Sequence, residues 1–144
     1  MRRCLVAILG GALAASLTAC ASGQATLPTA RSSSQLVSYK RSGGLTGATV
    51  RLSLSRGGHV TASPDGDDFR LSHKQLARLK QDIRRADLAD LPADNRPAQP
   101  VPDGYQSTVT AQGHTVHAED GAIPDRLQPL LSRLNGLLRR AGIR

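Results

Sequence analysis

The sequence predicts an α+β domain, an antiparallel β-sheet of about five strands with two amphipathic helices in the order β-β-β-α-β-β-α. Three observations carry that prediction. Residues 50–54 alternate Val50, Leu52 and Leu54 with Arg51 and Ser53, the period of two of a half-buried strand. Leu76, Leu79, Ile83 and Ala86 fall on one face of a helix. Leu127, Leu130, Leu131, Leu134, Leu137 and Leu138 follow the i, i+3, i+4, i+7 spacing of a second helix, the clearest element in the chain. A leucine stripe of this kind reads as core, with a dimer seam as the alternative.

Taken in order, residues 35–41 carry Leu36, Val37 and Tyr39 and form the first strand. Ser42, Gly43, Gly44, Leu45, Thr46 and Gly47 make a bend, since glycine reaches positive φ at no steric cost. A lone apolar residue, Leu45, sits at its tip; a connecting loop with a stray leucine explains it as simply as a binding role does. The second strand follows, then a turn at Ser55-Arg56-Gly57-Gly58 and a third strand over residues 59–62. Residues 63–68, Ser-Pro-Asp-Gly-Asp-Asp, are dense in turn formers. They lack the ligand spacing and closing Glu of a calcium loop, and read as a solvated turn. Residues 69–71 leave room for a further short strand.

Ser72-His73-Lys74-Gln75 fits a capping box at the start of the first helix, which runs to about Asp87. Residues 92–102 hold four prolines without periodicity and read as a loop rather than a strand. Residues 105–111 and 114–118 form a hairpin about Gln112-Gly113. Pro124 and Asp125 suit the first turn of the last helix. Pro129 must also lie in that turn or bend the helix, and Gly142 ends it.

The N-terminus stands apart. Arg2 and Arg3 precede an apolar run over residues 5–17, the pattern of a secretory signal. Leu17-Thr18-Ala19-Cys20 resembles the lipobox of bacterial lipoproteins. The resemblance implies a signal peptide over residues 1–19, cleavage before Cys20, lipidation (palmitate among the acyl chains) on its thiol, and a location on the extracytoplasmic face of a bacterial membrane. An uncleaved span is excluded, because the run is shorter than the roughly 18 residues that crossing requires. An ordinary signal with an incidental Cys remains the alternative. Cys4 falls within the leader, so no disulfide forms within one mature chain. Residues 20–34 read as anchor and flexible tether, and residues 35–144 as one folded domain.

The chain of 144 residues carries 19 Lys and Arg against 11 Asp and Glu, a net charge of +8. Removing Arg2 and Arg3 with the leader leaves about +6. Nucleic acid is a poor partner outside the cytoplasm, and Tyr39, Phe69 and Tyr105 are too few for base stacking. The cations recur at helical spacing, which suits a solvated face, an anionic membrane surface or an acidic partner.

Catalytic patterns are missing. The sequence contains no Gly-x-Ser-x-Gly, no P-loop and no His-Glu-x-x-His, and no thiol is free after processing. His114 and His117 lie three apart on a strand and point to opposite faces. His59 and His73 show no sequence partner, and Asp67-Asp68 reads as a solvated pair. The chain reads as a binding module without a cofactor rather than an enzyme.

Four stretches together resemble the emfourin-like proteins, bacterial inhibitors of thermolysin-type zinc metalloproteases of the protealysin group. They are Lys40-Arg41-Ser42-Gly43-Gly44-Leu45-Thr46-Gly47, Ala86-Asp87-Leu88 with Leu91-Pro92, Pro102-Asp103-Gly104-Tyr105, and Ile123-Pro124 with Leu127-Gln128-Pro129-Leu130-Leu131. The likeness spans residues 35–138. It implies inhibition by two neighbouring loops, one offering an aspartate to the catalytic zinc of the target and the other an apolar side chain to its substrate subsites. Carried over, Asp103 with Gly104 and Tyr105 supplies the first loop and Leu45 on residues 42–47 the second; Asp94 is the substitute for Asp103. The chain then needs no metal of its own, and its partner is a secreted or surface zinc metalloprotease. The rival reading is an envelope lipoprotein whose domain binds another protein or the cell surface.

Overall fold

The computed structural model describes residues 34–143; the expected leader, Cys20 and nearly all of the tether lie outside them. The described chain opens as an antiparallel meander of β1 (Gln35–Gly43), β2 (Ala48–Ser55), β3 (His59–Ser63) and β4 (Phe69–Arg70). Helix α1 (His73–Ala86) and a 3-10 turn (Leu88–Asp90) lead to β5 (Asp94–Asn95). The hairpin β6 (Tyr105–Ala111) and β7 (His114–Glu119) follows, then α2 (Gln128–Arg140). The sheet order is β4-β3-β2-β1-β6-β7-β5, so β1 lies at its centre and joins the two hairpins. Only β5 on β7 is a parallel pair.

The period of two decides which face is covered. Val37 and Tyr39, Leu52 and Leu54, Val60, Val109 and Ala111, and Val116 and Ala118 are buried on one side of the sheet. Leu79, Ile83 and Ala86 of α1 and Leu130, Leu131, Leu134 and Leu138 of α2 complete the same core. Both helices therefore cover one face. The intervening residues, among them Ser38, Lys40, Arg51, Ser53, Thr108, Thr110, Thr115 and His117, form a polar face that no helix covers.

Local chemistry sets the helix ends. Ser72 Oγ accepts from the Gln75 amide at 3.3 Å, and Gln75 Oε1 accepts from the Ser72 amide at 3.0 Å, both halves of the capping box. At the far end of α2, Gly142 N–H donates to the Arg139 carbonyl at 3.1 Å and Ile143 N–H to the Leu138 carbonyl at 3.0 Å. This is a Schellman closure, completed by burial of Ile143. Asp82, buried on α1, is held by Arg133 of α2.

Three expectations need correction. The sheet has seven strands rather than five, the additions being the two-residue strands β4 and β5 at its edges. β5 lies inside the proline-rich segment read as pure loop: Asp94 and Asn95 fall between prolines, where nothing removes their pairing with His117 and Ala118. Helix α2 starts at Gln128, not near Pro124. Pro129 has no N–H and its ring crowds the carbonyl four residues back, so regular helix cannot run through residues 125–129. Pro124 instead accepts from the Leu127 amide in a preceding turn, at 2.9 Å.

Candidate functional site

Two turns stand side by side at one end of the central strands. The β1–β2 turn closes with Gly47 N–H donating to the Gly44 carbonyl at 3.1 Å, and Leu45 and Thr46 form its tip. The second turn runs Val101-Pro102-Asp103-Gly104, with Gly104 N–H donating to the Val101 carbonyl at 3.0 Å. Pro102 fills the second position and Asp103, at φ 54°, the third, the marks of a type II turn. The turns meet because Gly43 pairs with Tyr105 across β1 and β6. Gly44 N–H also donates to the Gly104 carbonyl, at 3.3 Å.

That contact explains the glycines. A Cβ on Gly43 would stand 2.4 Å from the Gly104 carbonyl oxygen. One on Gly44 would stand 2.8 Å from the Tyr105 hydroxyl and 2.9 Å from its ring. Backbone and aromatic ring thus occupy the space a side chain would need.

Beneath the tips, the rim is tied to the rest of the domain. Asp120 Oδ2 accepts from the Tyr105 amide at 2.9 Å, and Asp120 N–H donates back to the Tyr105 carbonyl at 3.0 Å. The Arg41 guanidinium lies 4.7 Å from the Tyr105 ring centroid. The same guanidinium donates to Asn135 Oδ1 of α2 at 3.1 Å, and Tyr39 Oη donates to that oxygen at 3.0 Å. Burial pushes the Tyr39 phenol above its ordinary pKa, while Ser107, Arg41 and Asn135 pull the other way. Val101, Gly104, Tyr105, Glu119 and Asp120 line a small pocket of about 100 Å³ beside the tips.

Three large apolar residues are exposed among those described: Leu45 at 89%, Val101 at 46% and Tyr105 at 41%. All three belong to this rim. Asp103 is exposed with them, while Gly104 is half-buried beneath.

Asp94 does not join the rim. It lies on β5 opposite His117, two register positions inward from Glu119, and binds Arg96 Nε at 3.0 Å. That partner raises the Arg96 pKa. His59, without a partner in sequence, has its Nε2 3.5 Å from Asp68 Oδ2. No group of three or more His, Cys, Asp or Glu able to hold a metal ion occurs among the described residues.

The structure brings Leu45 and Asp103 to one rim, together with Val101 and Asp120, which are not among the residues the sequence singles out. Val101, between two prolines in an aperiodic loop, gave no signal. For Asp120, the signal was its position one residue past a strand, opposite the start of the hairpin.

No protein-family profile, curated protein sequence or solved structure matches the chain.

Proposed function

We propose that the domain inhibits a thermolysin-type zinc metalloprotease by inserting this rim into the active-site cleft. Asp103 offers its carboxylate to the zinc, where a carboxylate oxygen can displace the catalytic water. Leu45 fills an apolar subsite, and Val101 and Tyr105 cover the approach. Lipidation at Cys20 is part of the same reading and holds the inhibitor at the outer face of a membrane, near secreted or surface proteases.

One observation carries the proposal: every large apolar residue exposed among those described gathers around the same turn pair as Asp103. A connecting loop needs no such cluster, whereas an interface core is built from one, with aromatic anchors and few charges. The shared backbone bond between the turns also supports it, because a preorganised rim loses little freedom on binding.

The test is inhibition of a protealysin-type protease by the wild type and Asp103→Asn. Asparagine tolerates positive φ as well as aspartate does, so the turn survives while the charged ligand is lost. Potency should fall at least tenfold in the variant with the melting temperature unchanged. Equal potency removes zinc ligation by Asp103. Absence of wild-type inhibition at micromolar concentration removes the inhibitor reading and leaves the rim as a surface for another protein.

A further inference from the structure

The helices carry most of the positive charge of the domain, and the acids lie mainly in the connecting turns. Helices α1 and α2 carry eight Lys and Arg and one acid, Asp82, a net of +7. The remaining described residues hold seven Lys and Arg against ten Asp and Glu, a net of −3. The one helical acid is buried and paired with Arg133, so those two cancel and the other seven cations carry the net charge. On α1 the buried residues Leu79, Asp82, Ile83 and Ala86 occupy one side, and Lys74, Arg78, Arg84 and Arg85 are exposed on the other. Arg139 adds an exposed cation at the end of α2. The salt bridges among the described residues use Arg96, Arg126, Arg133 and His59, none of these five.

We infer that the outer face of the helix layer docks on an anionic lipid bilayer. A surface that is basic and free of exposed large apolar side chains suits headgroup contact rather than insertion. The leaflet attracts charges only within a Debye length, about 8 Å at physiological salt. Asp87, Asp90 and Asp125 flank the helix ends, so the contact centres on the outer side of α1, where Lys74, Arg78, Arg84 and Arg85 are exposed and the one acid of the helix is not. This concentration of exposed cations orients the domain, with α1 and the end of α2 down and the polar sheet face away from the membrane. The inference does not rest on the inhibitor reading; it concerns a different face and stands or falls without a protease.

The full chain carrying Cys20→Ser, which has no lipid acceptor, is mixed with vesicles of phosphatidylcholine alone or with about 30% phosphatidylglycerol, and bound protein is measured by flotation. Any contribution of residues 1–19 is common to all variants and cancels in the comparison. Binding should be at least about tenfold stronger on the anionic vesicles and disappear near 0.5 M salt. Each basic residue at the surface strengthens binding roughly fivefold, so Arg78→Gln, Arg84→Gln and Arg85→Gln together should weaken it about a hundredfold. The matched set Lys40→Gln, Arg51→Gln and Arg70→Gln, on the open sheet face, should change it less than about threefold. Circular dichroism checks that both sets fold; if the helix set does not, Arg84→Gln alone should still show about a fivefold loss. Equal losses from the two sets would overturn the inference, as would equal binding to neutral vesicles. Capture by a soluble polyanion without vesicle binding would assign the face to an acidic polymer and overturn it too.

Discussion

Gly43 and Gly47 bracket the same turn, yet the structure assigns them different roles, and alanine at each position separates those roles. Gly47 has φ 62° and no atom within 4 Å of where its Cβ would be. Gly47→Ala therefore meets only the left-handed penalty, about 1–2 kcal/mol, partly offset by the stiffer unfolded chain; the net loss is about 1 kcal/mol. Gly43 has φ 113°, outside the left-handed basin, and its Cβ would lie 2.4 Å from the Gly104 carbonyl oxygen. Backbone cannot yield as a side chain tip can. Relief requires β1 and β6 to part at this end, which breaks the Gly44–Gly104 hydrogen bond, worth about 1 kcal/mol, on top of about 2 kcal/mol of backbone strain. Gly43→Ala should therefore destabilise the domain by about 3 kcal/mol, near three times the effect of Gly47→Ala. Urea unfolding followed by far-ultraviolet circular dichroism measures both, with midpoints compared at unchanged slope. Equal destabilisation by the two variants would refute the close approach of the turns.

Tyr39 gives a pH prediction. Its buried phenol has a folded pKa above 10, so below pH 10 both folded and unfolded states keep the proton and its contribution is fully present. Above pH 10 the unfolded chain ionises first and that contribution is lost, at up to about 1.4 kcal/mol per pH unit. Tyr39→Phe should lose about 1 kcal/mol at neutral pH but decline less steeply above pH 10; parallel curves would contradict the burial assigned to the hydroxyl. Arg133→Met leaves the buried Asp82 carboxylate without its partner and should cost about 2–3 kcal/mol in urea unfolding, less than a fully buried pair because Arg133 is half in solvent. Adding Asp82→Leu should restore stability to within about 1 kcal/mol of wild type. Ser72→Ala removes one half of the capping box and should lower stability by about 1 kcal/mol, read from the thermal midpoint.

What was legible in the sequence was what local physics determines. The capping box, the leucine stripe, the alternation of β2 and the tight turn at Gln112-Gly113 depend on neighbours a few residues apart, and each appears in the fold. Long-range partners left little trace. Asp94 and Asn95 become strand only because β7 presents a free edge, and Asp82 is a buried acid that Arg133, on the other helix, makes tolerable. Pro124 has the local marks of a helix starter, but Pro129 excludes regular helix just upstream of itself and sets the start of α2 at Gln128. At the rim, glycine content marked the bend. The Asp120 clasp closes the local β6–β7 hairpin, but the Tyr105 ring over Gly44 depends on β6 lying beside β1, a pairing across most of the domain's sequence.

That pairing also makes the two tips one unit. Leu45 is one residue from Gly44 and Asp103 is one residue from Gly104, and the Gly44–Gly104 bond joins them. Tyr105 packs over Gly44, meets Arg41 and is clasped by Asp120, while Arg41 shares Asn135 with Tyr39. The rim is thereby linked to a helix of the core through charged and aromatic contacts rather than through loop contacts alone. Movement of Leu45 away from Asp103 must break the glycine bond and unseat the tyrosine. A partner meets a surface whose apolar and acidic elements keep a fixed spacing, and a change at Gly44 reaches Asp103 without touching it.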